Sequence, residues 1–568
     1  MNRDSDSRPR IAVFAGPTAT ILNTPPLVTS DKARIAYGLA TDAEQRARRR
    51  RFDALRPQRL AAPVTVYVEQ FSAHPLERDA ADLYGAPDGY VADGKFRKAR
   101  HGPSDTPVYE MTLAPEDGLY LLPYFGRQAD GTAWEGACQT TGGEFSSCRQ
   151  TFYPDASRLF EEIDRFGVGD DGRAGQLSSR ADYDFYRAVP PGGYTRGVAA
   201  TERTDIGDGE IGPERLGVDF FPYLPVRREP GQKHLAQLTN IVAAAIRTSE
   251  YSGALWLEGS PNGEETCYWL SLLLDTTKAI VATTAADSPH GAVHGSGDRN
   301  ILDAVEYIIS TVWQDESGRD VVGPTLIQDT QIFTARDAQK GGARAGGFVA
   351  TGGHGGLVGA VGHGGPPIIT FIPNRKFTYA SQLNLTRLGS HARGVRRTSS
   401  GTIGTKAVRI KSARGDLSTD AIPSVAIVKG ARFHDDDRRA TRSATEVASS
   451  VDWNLEHAAL SGFVAEGAAS YGTMPDSTDE ALRQAVYSGM PVVKVGRGNA
   501  EGIVGPRSVG YAIAGGNLTA TKARLLLMAC LLRYGALPPA RDPAHPTAKE
   551  IRATEEAIAA YQQIFDTH

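Results

Sequence analysis

The stretch from about 235 to 340 constrains the fold most, because apolar helices and apolar strands alternate along it. Strands separated by helices of about ten or more residues are typical of βαβ units on a parallel sheet. Ligands of such sheets bind at the carboxyl ends of the strands. We therefore expect an α/β domain whose site includes the turn EGSPNG, residues 258–263. The segments are LAQLTNIVAAAI, GALWL, EETCYWLSLLL, AIVAT, NILDAVEYIIST and GPTLIQD.

A second, smaller α/β unit is predicted at the C-terminal end of the chain, where strands and helices alternate again from PSVAIVKGA to TATKARLLLMACLLRYG. The segment before it is rich in Ser, Gly and Arg and is interpreted as a linker. A region rich in Gly, Asp, Arg and Tyr indicates an insertion into the first domain. The predicted fold is thus a two-domain α/β fold with an N-terminal domain at 1–384, an insertion at about 42–215, a linker at 385–419 and a C-terminal domain at 420–568.

The charge balance argues against a nucleic-acid partner. The chain of 568 residues carries 62 Lys and Arg against 66 Asp and Glu, a net charge of -4. The basic run RARRRR at 46–51 is therefore interpreted as a solvated helix face, although such runs also occur in nucleic-acid patches. No stretch approaches about 18 apolar residues, and the first residues contain no apolar leader. We expect a cytoplasmic protein without a membrane partner.

Cysteine and histidine give no sign of a metal site. The four cysteines lack CxxC spacing, so neither a zinc site nor a disulfide framework is indicated. Cys138 and Cys148 are close enough in sequence to pair, but we expect reduced thiols. His354 and His363 lie in GGHGGLVGAVGHGG without an acidic or Cys partner nearby, so a Gly-rich loop with amides facing an oxyanion is expected there instead of a metal. No metal and no organic cofactor are expected.

Several motifs together resemble the bacterial-type L-asparaginase/glutaminase family, in the right order along about half of the chain. EGSPNGEETCYWLSLLL is similar to the family's H-G-T-D-T-M-E-E-T-A-x-x-L, and QIFTARDAQK is similar to x-I-x-x-A-R-x-x-x-K. HGSGDRNILDAVEYI resembles S-A-D-G-x-x-N-L-x-x-A-V, and FAGPTATI lies where the family has T-G-G-T-I-A. AGGNLTATKARLLLMACL resembles the final K-A-R-x-L-L-M helix. The resemblance implies a two-domain asparaginase-like fold.

The resemblance also implies a catalytic set. In this family a Thr after the first strand attacks an amide carbon, and water later cleaves the acyl-enzyme; a hydroxyl needs activation to do this. Thr18 occupies that position, and Thr20 is the reserve candidate. Tyr37 would be the lid tyrosine that shares the proton of the nucleophile. Ser260 replaces the family's Thr and keeps its hydroxyl, so Ser260 and Lys340 would form the proton relay.

The turn departs from the family at the position that holds the α-ammonium group of the substrate. The family has an Asp there, whereas Pro261 offers neither a carboxylate nor an amide proton. In LPVRREPGQKHLAQL, Arg228 falls in the substrate loop and would grip a carboxylate or stack on a planar ring. With Gly259 and Asn262 it makes up the expected substrate-binding set. Ser260 is also a natural N-cap for a helix over 264–274, and the two roles are compatible.

These features predict an amide hydrolase acting on a carbon–nitrogen bond other than a peptide bond. The substrate would be a small-molecule amide that is not a simple α-amino acid amide. The resemblance implies a homodimer or homotetramer, because in the family the C-terminal domain completes the neighbouring subunit's pocket. Two alternatives stay open: a hydrolase of an ester or lactone, and a catalytically degenerate binding protein. Loss of activity in Thr18→Ala separates an enzyme from a binder, and a panel of amides and esters separates the two hydrolases.

Overall fold

The structure of the chain is a computed structural model. It describes two long C-terminal stretches almost completely and the N-terminal part in shorter pieces. The described residues are 8–15, 28–30, 55–57, 64–68, 86–92, 95–113, 124–125, 147–148, 160, 163, 175–188, 211–213, 233–259, 262–284, 296–342, 346–351, 356–362, 365–430, 436–468, 471–497, 504–505 and 510–568.

Before residue 214 the structure describes eleven strands, and two single residues, Phe160 and Ile163, are described as helical. Strands β2 and β3 pair with each other, and β4 to β9 form a separate sheet in the order β6-β5-β7-β4-β8-β9. The strands are β1 (Arg10–Ala15), β2 (Val28–Ser30), β3 (Leu55–Pro57), β4 (Val64–Val68), β5 (Gly89–Ala92), β6 (Lys95–Arg97), β7 (Thr106–Leu113), β8 (Tyr124–Phe125), β9 (Ser147–Cys148), β10 (Asp182–Ala188) and β11 (Ile211–Pro213).

The central part of the chain has the predicted alternation of helices and strands. Every residue of its second and third strands is buried, which explains their nearly continuous apolar sequences. The elements are α1 (Lys233–Ile246), β12 (Tyr251–Leu257), α2 (Asn262–Leu273), β13 (Ala279–Thr283), α3 (Gly297–Ser310), β14 (Thr325–Gln328), β15 (Gln331–Thr334), β16 (Ala338–Lys340), β17 (Phe348–Ala350), β18 (Leu357–Ala360) and β19 (Ile368–Ile369).

Nine of the described strands form the main sheet, in the order β11-β10-β1-β12-β13-β14-β15-β18-β19. Strands β10, β1, β12, β13 and β14 are parallel, and the strands at both edges are antiparallel. Alternate residues of β1 enter different cores, as the period of two in a strand requires. Ala12 and Phe14 pack in the cluster that contains α1 and α2, while Ile11 and Val13 pack in the cluster that contains α3.

The C-terminal part contains the predicted smaller α/β unit, so the predicted fold class is confirmed. Its sheet is parallel, in the order β22-β23-β24-β25. The elements are β20 (His391–Arg397), β21 (Ile403–Arg409), β22 (Ser424–Lys429), α4 (Asp436–His457), β23 (Ser461–Gly467), α5 (Asp476–Tyr487), β24 (Val492–Gly496), β25 (Ile513–Ala514), α6 (Ala520–Tyr534) and α7 (Ala548–Thr567), with short 3-10 turns at Thr378–Ala380 and Thr419–Ala421.

The interpretation of 42–215 as an insertion needs correction at its end, because β10 belongs to the main sheet. Strand β10 pairs in parallel with β1. Its sequence DYDFYRA alternates, so Tyr183 and Phe185 share one face, where they pack edge-on against Phe160 at 4.9 and 5.3 Å between ring centroids. This part of the predicted insertion therefore helps to build the N-terminal core. The other domain limits stay predictions.

The interpretation of 385–419 as a linker also needs correction, because the segment contains the hairpin of β20 and β21. The arginines of β20 obscured its strand pattern in the sequence. Val395 is buried in the core, whereas the charged side chains are exposed. The Arg393 guanidinium donates to the Ala536 carbonyl at 2.8 and 3.0 Å, and Arg397 pairs with Asp452. The segment is thus an ordered part of the C-terminal unit. Within the described ranges, no helix combines the length and the apolar character needed to cross a membrane.

Candidate functional site

The carboxyl ends of β1, β12, β13 and β14 lie along one edge of the sheet, where β12 runs into the turn before α2. Glu258 follows β12 directly and is only 2% exposed. Its Oε2 accepts hydrogen bonds from Trp256 Nε1 at 2.7 Å and from Thr266 Oγ1 at 2.8 Å. Its own amide donates to the Thr283 carbonyl at 3.2 Å. The strand end, the turn and α2 are therefore joined through one buried carboxylate.

The first turn of α2 carries a second buried carboxylate, Glu264. The main-chain amide of Lys340 donates to Glu264 Oε2 at 2.5 Å. Burial raises the pKa of Glu264 to about 7, although Lys522 and the Lys340 amide both act in the opposite direction. A carboxylate in a first helical turn is also favoured by the partial positive charge of that end. Glu264 is thus a titratable group at neutral pH that fixes the position of Lys340.

The side chain of Lys340 lies along its own hairpin of β16 and β17. Lys340 pairs with Phe348 across the two strands, and Nζ lies 5.2 Å from the Phe348 ring centroid. Nζ also donates to the Gly346 carbonyl at 2.5 Å. The side chain is partly exposed at this position. The hairpin therefore presents a lysine next to the first turn of α2.

Gly346 brings this hairpin against the carboxyl end of β14. Its φ is +70°, and an added Cβ would lie 1.4 Å from Asp329 Oδ2, so a larger residue would be strained and would displace the Asp329 side chain. Asp329 itself has a positive φ of 50° at the end of β14. The hairpin of β16 and β17 therefore contacts the same edge of the sheet at two points. Lys340 contacts the first turn of α2, and Gly346 contacts Asp329 at the end of β14.

A polar network closes the neighbouring part of the edge. Thr284 Oγ1 donates to Gln328 Oε1 at 2.5 Å, and Gln328 Nε2 donates to Ser296 Oγ at 3.1 Å. Asn300 Nδ2 donates to the Thr284 carbonyl at 3.1 Å, and its Oδ1 accepts from the Asp329 amide at 3.0 Å. These buried groups have partners and hold the strand ends in register.

Helix α6 of the C-terminal unit reaches the same turn through Lys522. This side chain is 2% exposed, and its Nζ donates to the carbonyls of Glu264 at 2.6 Å and Ala335 at 2.7 Å. Burial lowers the pKa of Lys522. Two residues further along α6, Arg524 pairs with Glu265 at 3.1 Å. The two units of the chain are therefore joined at the turn that carries the candidate chemistry.

The structure brings together three of the predicted site residues. Gly259 accepts the Gly263 amide at 3.3 Å, Asn262 begins α2, and Lys340 is tied to the first turn of that helix. Helix α2 starts at Asn262 and not at the predicted 264, so Pro261 immediately precedes it. The predicted nucleophile Thr18, its reserve Thr20 and the further candidates Tyr37, Arg228 and Ser260 lie outside the described residues, as do Pro261, His354 and His363.

Lys522, the most buried lysine of the described residues, was not among the site residues predicted from the sequence. A signal was present: Lys522 lies in the first turn of a mostly apolar helix, three residues after the cap residue Thr519. A charged residue in such a helix needs a partner from another element. Nor was it predicted that Glu264, noted only for its favourable place near the helix end, would fix Lys340.

Cysteine chemistry does not contribute to this edge. Cys267 and Cys530 are buried free thiols. Burial raises the pKa of Cys267 to about 12, which keeps the thiol protonated and unreactive at neutral pH. In the part of the chain that the structure describes, no group of three His, Cys, Asp or Glu side chains is arranged to hold a metal ion. The chemistry of the described edge is that of lysine, carboxylate, hydroxyl and amide groups.

A match to one family model agrees with the resemblance seen in the motifs. Residues 229–358 match the family model described as asparaginase, N-terminal, and the match includes the turn, α2 and Lys340. The solved structure of a probable cytoplasmic L-asparaginase from Campylobacter jejuni is 16% identical, with 69% of this chain and 88% of that chain covered at a TM-score of 0.45. No curated protein matches the chain. Residues 229–358 of this chain are thus similar to the N-terminal domain of asparaginases.

Proposed function

We propose that the protein is an amidohydrolase that cleaves a non-peptide carbon–nitrogen bond of a small-molecule amide. The observation that carries the proposal is the hydrogen bond from the Lys340 amide to Glu264, which joins the lysine of the ARDAQK motif to the helix that follows the EGSPNG turn. The family match over 229–358 supports the same chemistry. An amide needs an activated nucleophile because its leaving group is poor.

In the proposed reaction Thr18 Oγ attacks the carbonyl carbon and its proton passes to the leaving nitrogen. Ser260 and Lys340 form the relay, and Tyr37 assists from the lid. The C–N bond breaks, ammonia or an amine leaves, and an ester joins the acyl group to Thr18. Water then hydrolyses this ester and restores the hydroxyl. Glu264 is a positioning residue in this scheme, because it binds the main chain of Lys340.

The proposed substrate is not a simple α-amino acid amide. Pro261 provides no carboxylate for an α-ammonium group. Arg228, Gly259 and Asn262 are the proposed binding residues, with Arg228 gripping a carboxylate on the substrate. Arg228→Ala should then raise KM for an anionic amide far more than for a neutral one. Equal changes for both substrates would remove the carboxylate clamp from the proposal.

The test is turnover of a panel of primary amides, cyclic imides, esters and lactones by the wild type and Lys340→Met. We expect ammonia or amine release, and a fall in kcat of about 100-fold or more in the variant because proton transfer is lost. Lys549→Met, which removes an exposed lysine from α7, is the matched control. Turnover of esters and lactones alone would favour the ester hydrolase. Binding without any turnover would favour the degenerate binding protein.

We further propose that the protein is a homodimer or homotetramer. The described surface includes large apolar side chains that an interface would cover: Ile368 is 62% exposed, Ile372 is 59% exposed and Phe371 is 45% exposed. Sedimentation velocity at micromolar concentration should give a mass of two or four chains. A monomer under these conditions would contradict the proposal.

A further inference from the structure

A second recess lies beside the middle of α2, away from the turn at its start. It encloses about 370 Å³, including space open to solvent. Its walls come from the segment before β14, the turn after β15, the loop 373–377 and the end of α7. Gly323 has a φ of +86°, and an added Cβ would lie 2.7 Å from the Phe377 ring, so this glycine allows the close packing of one wall.

Three cationic side chains line this recess. Arg336 is 9% exposed and pairs with Asp337 at 2.7 Å. Arg375 and Lys376 also line it, and among the described residues no Asp or Glu side chain forms an ion pair with either, although Asp337 and Asp566 are close enough to act on the pKa of Arg375. Burial and the nearby Arg336 both lower the pKa of Arg375. The recess therefore holds more positive than negative side-chain charge, at a cost in desolvation and repulsion.

The hydroxyl of Tyr268 lies among these charges without a hydrogen-bond partner in the described structure. Tyr268 is 1% exposed and lines the recess, and Arg336, Asp337 and Arg375 all act on the pKa of its phenol. Buried hydroxyls nearly always have partners, and an orphaned one requires an explanation. A ligand that accepts a hydrogen bond would supply the missing partner.

We propose that the recess binds a small oxyanion, a carboxylate or a phosphate. Arg375 and Lys376 provide the charge, and the Tyr268 hydroxyl donates a hydrogen bond to one anion oxygen. Guanidinium groups match the oxygens of both anions in a fork geometry. Asp337 stays paired with Arg336, so the positive charge of Arg336 offsets its repulsion of the anion. The site is separate from the proposed amidohydrolase site and does not depend on it.

The position of the recess gives the anion a structural role. Arg375 Nη1 donates to the Asp566 carbonyl at 2.6 Å, and Arg336 Nε donates to a main-chain oxygen of His568 at 2.9 Å. Arg336 Nη2 also donates to Asn517 Oδ1 at 2.8 Å. The same cations therefore hold the end of α7. An anion that neutralises them should stabilise the junction between the two units and raise Tm.

The experiment is calorimetric titration of the full-length protein with inorganic phosphate and, separately, acetate, at constant ionic strength with chloride as the background ion. Tm is recorded alongside. We expect saturable binding and a rise in Tm with at least one anion; the anion that binds tells phosphate from carboxylate. Arg375→Gln should weaken binding by about tenfold or more, as loss of a charged hydrogen bond implies.

Tyr268→Phe is the sharper variant, because it should fold as well as the wild type and still bind the anion about 2- to 10-fold more weakly. Arg552→Gln, which removes an exposed charge from α7, controls for general electrostatics and should bind like the wild type. The proposal is overturned if neither anion binds the wild type. It is also overturned if Tyr268→Phe and Arg375→Gln bind with wild-type affinity.

Discussion

The first turn and the middle of α2 treat buried polar groups in opposite ways. At the first turn, Glu264 of α2 and Lys522, which reaches it from α6, both have close hydrogen-bond partners. Four residues along the helix, the Tyr268 hydroxyl has none in the described structure, although the side chain is as deeply buried. Helix α2 therefore has satisfied buried polar groups at its first turn and an unsatisfied hydroxyl in its middle.

The difference separates groups that stabilise the fold from groups that await a ligand. Saturated buried groups make structure rigid, and removing one partner costs free energy because the other is left without a hydrogen bond. An unsaturated group already bears that cost, so its removal is nearly free. For mutations in and against α2, the loss in the free energy of unfolding should therefore follow the number of hydrogen bonds that are lost and not the depth of burial of the side chain.

Lys522→Met should give the largest loss of stability. It removes the donor to the carbonyls of Glu264 and Ala335, two charge-assisted hydrogen bonds in a buried site. We expect the free energy of unfolding to fall by about 3 kcal/mol, measured by urea denaturation followed by circular dichroism. Lys549→Met, on the surface of α7, should change it by less than about 0.5 kcal/mol. Equal stability of the two variants would show that the first turn is not held by Lys522.

Glu264→Gln should change how stability depends on pH. Burial raises the Glu264 pKa from 4.5 to about 7, so the folded protein binds this proton more tightly than the unfolded chain does. Stability from this group is therefore lost as pH rises from about 4.5 to 7. The free energy of unfolding of the wild type relative to the variant should fall by about 3 kcal/mol between about pH 5 and pH 8. A difference that stays constant over this range would contradict a raised pKa.

Thr266→Val should have an intermediate effect. The Thr266 hydroxyl donates to Glu258 Oε2 at 2.8 Å, and Val has the same shape without the donor. The Glu258 carboxylate would lose one of its buried partners, so we expect a loss of about 1 to 3 kcal/mol in the free energy of unfolding. Thr266→Ser keeps the hydroxyl and should retain more of the stability. A Val variant as stable as the Ser variant would argue against the bond.

Tyr268→Phe should have the smallest effect on stability of the four variants. Its hydroxyl has no partner to lose in the described structure, so the free energy of unfolding in anion-free buffer should change by less than about 1 kcal/mol or rise. Thermal and urea denaturation of the dialysed protein measure this. A loss as large as that of Thr266→Val would mean that the hydroxyl is saturated and would abolish the contrast between the two regions.

The sequence predicted the parts of the fold that depend on local pattern. The strand AIVAT is observed at Ala279–Thr283, and the helices over 235–246 and 300–311 are observed within a few residues of their predicted ends. A parallel strand that is buried on both faces has a nearly continuous apolar sequence, and a helix that packs on the sheet has apolar residues at a helical period. Both patterns can be recognised in the sequence. The helix α7, at Ala548–Thr567, was not predicted, although Thr547 and Glu550 form a capping box at its start.

The rest depended on contacts between distant parts of the chain. The 2.6 Å bond between Lys522 and the Glu264 carbonyl joins residues 258 positions apart, and no local period encodes it. The hairpin of β20 and β21 was not predicted, because arginines occupy exposed positions of β20 and mask its alternation. In the candidate site, the motifs indicated Lys340 and the turn before α2. The role of the Glu264 carboxylate, which accepts from the Lys340 amide, could be recognised only in the folded structure.

The measurement that tests the central claim most directly is intact-protein mass spectrometry of rapidly quenched mixtures of the protein with amides, cyclic imides and esters. Thr18→Ala is run in parallel. The proposed function predicts an added acyl mass on the wild type that maps to Thr18 and is missing from the variant. Turnover of an amide by both proteins at the same rate, with no adduct on either, would contradict the proposed threonine mechanism.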